Sequence, residues 1–269
     1  MFRRCLLALL MWPLLLLPAT AQDRLSDLVQ LQVIDGGRSA SGQHLAALHF
    51  TLKSGWKTYW RAPGDAGIPP HFSWQGSRNL RDVDVVWPAP VIFDQGGEQS
   101  VGYANQLVLP LRVTPKSGAR GLRLKGEVFI GICKHICVPA TLRFDQTLDQ
   151  NAPRSPLIAS ALAERPYSEA EAGVRQATCT LAPNARGLQI EVRITMPSAG
   201  APEQAVIEPG NPNIWASPTK TTRRGDVLIT RSELVHNSNR SAFALDRSAV
   251  RVTVLGRKHA VDIQGCAPG

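Results

Sequence analysis

Leu188-Gln189-Ile190-Glu191-Val192-Arg193-Ile194-Thr195-Met196 is the stretch that sets the fold class. Apolar side chains take every second position and polar ones fill the gaps. Side chains along a strand point alternately to its two faces, so this order puts one face in a core and the other in water. A helix would space its apolar residues three and four apart. The same alternation runs through Ala46, Leu48, Phe50 and Leu52 against His49, Thr51 and Lys53. It recurs in Val250, Val252 and Val254 against Arg251 and Thr253. Turn signals separate such runs, among them Asp35-Gly36-Gly37, Pro63-Gly64-Asp65, Gln95-Gly96-Gly97 and Arg224-Gly225-Asp226. Many short, half-buried strands with frequent turns predict an all-β chain built of β-sandwiches.

One segment breaks the pattern. Pro156-Leu157-Ile158-Ala159-Ser160-Ala161-Leu162-Ala163-Glu164 is rich in alanine and leucine and does not alternate. Ser155 precedes it as a cap, Pro156 takes the first turn and Pro166 ends it, so it predicts a short helix. The chain then divides into a sandwich over residues 22–150, a helix-bearing linker over 151–169 and a second sandwich over 170–269. A length of 269 residues fits two domains, at roughly 100–200 residues each.

Residues 1–21 predict a secretory signal peptide. Arg3 and Arg4 lead, an apolar stretch from Leu6 to Leu17 follows, and Ala19-Thr20-Ala21 offers small residues for cleavage. The apolar stretch is short for a membrane span and contains Pro13. The expected location is therefore the periplasm, as a soluble exported protein in a compartment that permits disulfides. With 43% hydrophobic and 19% charged residues, the composition excludes a disordered chain. The formal charge of +9 is scattered, with Arg223-Arg224 and Arg257-Lys258 as close pairs. A nucleic-acid binder would gather its cations on one face among aromatics, so no nucleic-acid partner is expected.

Beyond the signal peptide lie Cys133, Cys137, Cys179 and Cys266. Pairing Cys179 with Cys266 would close a loop of roughly 88 residues, about 4.6 kcal/mol by loop-closure entropy, which reads as a structural staple. Cys133 and Cys137 differ. Their loop is worth only about 2 kcal/mol by the same model. They can bond only if Lys134-His135-Ile136 turns and places them opposite each other on neighbouring strands. Such a bridge would be short, strained and near the surface, which is the reducible kind. Lys134 and a protonated His135 would favour a thiolate at either sulfur. Two other readings stay open on spacing: an ordinary hairpin staple, and a Cu(I) site formed by Cys133, His135 and Cys137, as soft sulfurs and an imidazole suit that ion. No organic cofactor is implied.

Several blocks resemble the N-terminal periplasmic domain of the DsbD/ScsB group of thiol-disulfide interchange proteins. They are Gly55-Trp56-Lys57-Thr58-Tyr59-Trp60, Pro63-Gly64-Asp65-Ala66-Gly67-Ile68-Pro69-Pro70, Trp74, Trp87-Pro88, Gly102-Tyr103 and the Cys-x-x-x-Cys-x-Pro segment from Cys133 to Pro139. The later half resembles the second immunoglobulin-like module of ScsB-type proteins. The resemblance implies two immunoglobulin-like domains, with Cys133 and Cys137 as the exchanging pair of a protein-disulfide reductase-like system. It implies a membrane-embedded DsbD/CcdA-like electron donor and thioredoxin-like or disulfide-bonded periplasmic proteins as recipients. The full family protein continues into membrane and thioredoxin-like domains, so by this resemblance the chain would need those parts on another polypeptide or would do something else with the same fold.

Other side chains are drawn toward the site as shaping candidates. Of Trp56, Tyr59, Trp60, Trp74 and Trp87, most would pack the sandwich core and one or two, with Trp60 a candidate, would wall off the cysteines. Asp65 would accept a proton from the pair or serve only as a turn residue, and Pro139 would stiffen the chain beyond Cys137, leaving Cys133 to attack first. The loop of residues 63–70 is a candidate lid. His71 is the other histidine to test, beside His135.

Overall fold

The computed structural model describes residues 23–65, 67–95, 97–118, 121–238 and 243–269. The segment read as a signal peptide lies outside them. A short helix α1 (Asp23–Ser26) precedes β1 (Val29–Arg38), β2 (His44–Leu52), β3 (Lys57–Gly64), β4 (His71–Ser73), β5 (Leu80–Val85), β6 (Val91–Gln95), β7 (Glu98–Ala104), β8 (Gln106–Pro115), β9 (Leu122–Cys133) and β10 (Cys137–Leu148). These strands form two sheets, in the orders β1-β2-β8-β5 and β10-β9-β3-β7-β6, with β4 on β9. Between them lies one core, in which Leu48, Phe50, Trp60, Leu109, Leu124 and Ile132 are buried.

The linker carries α2 (Pro156–Ala163), β11 (Tyr167–Ser168) and α3 (Glu169–Ala172). The second sandwich comprises β12 (Gln176–Asn184), β13 (Gly187–Thr195), β14 (Gln204–Glu208), β15 (Ile214–Ala216), β16 (Lys220–Arg224), β17 (Val227–His236), β18 (Arg251–Leu255), β19 (Ala260–Gln264) and β20 (Ala267–Pro268). Its sheets run β11-β19-β18-β14 and β15-β17-β13-β12-β20, with β16 on β17. Ile190, Val192, Ile194 and Met196 fill its core, as their alternation requires. The all-β, two-sandwich architecture is therefore present. Among the described residues no helix is long and apolar enough to cross a membrane.

Two features depart from the expected pattern. The helix α2 does more than link: it packs on β2 and β8. Ile158 fits over Gly36, where an added Cβ would lie 2.8 Å from Ile158 Cδ1. This cover explains why Ala47, on the face of β2 away from the core, is fully buried. The second feature is Thr253. Alternation assigns it to water, yet it is fully buried. Its face of the β14-β18-β19 sheet meets the first domain instead of solvent, and Val206 on the same face packs against the first domain's core.

The start of α3 is held by a capping box between Ser168 and Glu171. The Ser168 amide donates to Glu171 Oε2 at 2.8 Å. Together with the Arg165 guanidinium, the first cause, this lowers the Glu171 carboxyl to about 2. Its contribution is present above the ordinary glutamate range and is lost as pH falls through about 2. The amide resonance of Ser168 should therefore titrate with that low midpoint; a midpoint at the ordinary glutamate value would refute the cap.

Candidate redox site

Strands β9 and β10 form one long hairpin, with Cys133 directly opposite Cys137 at its tip. Lys134, His135 and Ile136 make the turn, in which the Lys134 amide donates to the Ile136 carbonyl at 3.2 Å. The two Cα atoms are 4.2 Å apart and the sulfurs are bonded. The sequence allowed this bridge only through such a turn, and the turn is there.

The two sulfurs are unlike in environment. Cys133 is 1% exposed. Cys137 is exposed, next to Ile136 at 69%. The expectation that Cys133 is the freer of the two is thus reversed. Cys133 closes a strand whose other neighbours cover it, whereas Cys137 opens the outgoing strand at the tip.

A third group completes the site. The Tyr59 hydroxyl lies 2.7 Å from Cys133 Sγ and 3.1 Å from Cys137 Sγ. Bridged sulfurs carry no proton, so the phenol is the donor. Burial raises its pKa, which keeps the O–H in place. Two glycines make room for the ring. A Cβ on Gly131 would stand 2.9 Å from Tyr59 Cε2, and one on Gly67 would stand 2.9 Å from Tyr59 Cδ1. Gly67 belongs to the loop of residues 63–70, and its neighbour Ile68 sits over Gly131. The loop thus packs on the phenol ring and on the strand that ends in Cys133.

Residues 30–149 match the family model described as the N-terminal part of thiol:disulfide interchange protein DsbD. The first domain is a DsbD-type N-terminal domain. The fold extends further than that match. The crystal structure of the N-terminal periplasmic domain of ScsB from Proteus mirabilis superposes with a TM-score of 0.70, covering 90% of this chain and 95% of that one at 20% identity. No curated protein matches the chain.

The other residues singled out in this DsbD-type domain fall in several places. Lys134 and His135 are exposed in the turn. The Lys134 side chain folds back over Gly55, where an added Cβ would lie 3.3 Å from its Cε. Pro139 is opposite Gly131 on β10 and is exposed. Trp60 does not wall the sulfurs. It faces the sandwich core, fully buried, because it follows Tyr59 by one residue and so points to the other side of β3. Asp65 is exposed, with its amide donating to the Gln99 carbonyl. Burial is the first cause that raises its carboxyl pKa, and the groups acting on it, Gln99 and Glu98, are on β7 rather than at the cysteines. His71 stacks on Phe129 at 6.4 Å. Among the described residues no group of three or more His, Cys, Asp or Glu side chains is placed to hold a metal ion.

Sequence reasoning placed Tyr59 only among aromatics that could wall the site, not as a hydrogen-bond donor to the sulfurs, and it passed over Lys57. Lys57 is opposite Cys133 in the β3–β9 register and is 7% exposed. Its ammonium donates to Ser100 Oγ at 3.3 Å and lies 4.6 Å from the Phe93 ring centre. Burial lowers its pKa. The signal was present: Lys57, Tyr59 and Arg61 are alternate residues of one strand and share a face.

Cys179 and Cys266 are also bonded, with Cα atoms 5.6 Å apart. Cys179 is 1% exposed. The bridge fixes the end of the chain to β12, beside the pairing of β12 with β20.

Proposed function

We propose that this chain is an exported, periplasmic thiol-disulfide interchange protein that passes two electrons at a time through Cys133 and Cys137. The donor is a membrane-embedded dithiol protein of the DsbD/CcdA-like kind. The recipients are thioredoxin-like or disulfide-bonded exported proteins. The observation that carries this reading is the asymmetry of the bridge: one sulfur open at a hairpin tip, the other buried against a hydrogen-bond donor.

The chemistry follows from that asymmetry. A donor thiolate attacks Cys137 Sγ, the Cys133–Cys137 bond breaks, and Cys133 leaves as a thiolate. The Tyr59 O–H donates to the new negative charge, and a hydrogen bond to an ion is stronger than one to a neutral sulfur. The donor's second thiol attacks its own sulfur in the mixed disulfide, which releases Cys137 as a thiol and the donor as a disulfide. The Cys137 thiol then gives its proton to water, its thiolate attacks a recipient disulfide, and the recipient's leaving thiolate takes a proton from water. Cys133 then attacks Cys137 Sγ, closes the bridge and frees the reduced recipient. Two electrons have moved and no cofactor takes part.

Redox titration against glutathione, with thiols counted by mass spectrometry, tests the proposal. Cys133–Cys137 is expected to open at a potential higher by at least about 30 mV, a tenfold difference in equilibrium constant, while Cys179–Cys266 stays closed. Equal resistance of the two bridges would leave only a structural role for the first.

A further inference from the structure

The second domain has no part in the exchange chemistry just described, yet it grips the strand that carries Tyr59. Backbone pairing of β3 weakens at that residue. Its register with β7 breaks between Tyr59 and Gly64, and its pairing with β9 covers Lys57 and Thr58. The segment that follows leads directly into the loop of residues 63–70, which packs on the phenol ring. The ladder with β7 resumes at Gly64, opposite Ser100, so residues 60–63 are the stretch that side-chain contacts hold.

Arg61 supplies them. Its guanidinium meets the Glu208 carboxylate side-on, with Nε to Oε1 at 2.9 Å and Nη2 to Oε2 at 2.9 Å. Nη2 also donates to Thr253 Oγ1 at 3.2 Å and stands 3.6 Å from Asp262 Oδ1. The guanidinium lies on the Trp60 ring, 4.0 Å from its centre. The side chains of Arg61 and Glu208 are only 14% and 20% exposed, so the pair is poorly screened by solvent. Glu208, Thr253 and Asp262 all belong to the β14-β18-β19 sheet of the second domain. The cleft beside this contact, about 600 Å³, is walled by Pro63, Gly67 and Pro69 on one side and by Pro209, Trp215 and Pro218 on the other.

We propose that the second domain is a buttress for the redox site. Through Glu208 and Thr253 it fixes Arg61, a positioning residue, and thereby holds the loop of residues 63–70 closed over Tyr59 and the buried Cys133. The inference rests on the reading of Cys133–Cys137 as an exchanging pair. Its test uses a small reductant and no protein partner, so either can fail alone.

The test is the rate at which dithiothreitol opens each bridge in the full chain, followed by thiol counting, with amide hydrogen exchange over residues 60–70 as a second reading. Glu208→Ala is expected to speed reduction of Cys133–Cys137 about three- to tenfold by favouring local opening and to raise exchange over residues 60–70. Cys179–Cys266 should be reduced at its original rate, although it lies in the domain that bears the substitution. Glu208→Gln keeps one acceptor for Arg61 Nε and should recover part of the protection. Thr253→Val, which keeps shape and removes one acceptor, should act in the same direction more weakly. Unchanged reduction of Cys133–Cys137 in both Glu208→Ala and Thr253→Val overturns the proposal, even if exchange rises. Equal acceleration at both bridges overturns it too, because that is general loosening of the second domain.

Discussion

A Cys133→Ser chain is expected to accumulate in cells as a covalent mixed disulfide with its partner, whereas a Cys137→Ser chain is not. The reason is access. In Cys133→Ser the remaining thiol is the exposed one at the hairpin tip, and it can reach a partner disulfide. The serine hydroxyl cannot attack the resulting mixed disulfide, so the adduct persists. In Cys137→Ser the remaining sulfur is the one that is 1% exposed, under Tyr59. A visiting protein would have to unseat the phenol and the loop above it before touching that sulfur. Acid-quenched extracts run without reductant should show a band of higher mass for Cys133→Ser, at least tenfold stronger than for Cys137→Ser, and dissolved by reductant. Equal trapping by the two variants would sink the assignment of Cys137 as the contact sulfur.

Tyr59→Phe is expected to make the Cys133–Cys137 bridge harder to reduce. The phenol donates to sulfur in either redox state, but the bond is worth more when the acceptor is a thiolate. A hydrogen bond to a charged group contributes about 1.5–3 kcal/mol. For two electrons that sets an upper limit of roughly 30–65 mV on the fall in reduction potential, because the weaker bond to the bridged sulfur is lost as well. Phenylalanine keeps the ring that fills the slot beside Gly67 and Gly131, so the hairpin itself should be undisturbed. Equilibration of the variant with glutathione measures the shift. A potential that stays put or rises would show that the hydroxyl does not stabilise the reduced form.

These two expectations depend on the site to different degrees of legibility. The paired cysteines were readable because a four-residue separation leaves the backbone one way to bring them together, a turn at Lys134-His135-Ile136. The staple between Cys179 and Cys266 was readable because two distant cysteines stand near the ends of one domain in a chain whose first residues read as an export signal. Tyr59 was not singled out, although it stands in the quoted block beside Trp60. Alternation says that the two rings face opposite ways but not which of those ways is the core. Arg61 stands next to that block, and its partners Glu208 and Thr253 are far away in the chain. No local pattern links them.

The sequence by itself determined that the chain is all-β in two sandwiches, with a bridgeable cysteine pair in the first and a staple in the second. Those properties follow from periodicity, turn chemistry and spacing, which act over a few residues or depend on separation alone. Only the tertiary structure decided that Cys137 is the open sulfur, that a phenol is bonded to both sulfurs, and that Thr253 is buried against Arg61. Each of those depends on what covers a given face of a sheet, and the covering element comes from a distant part of the chain.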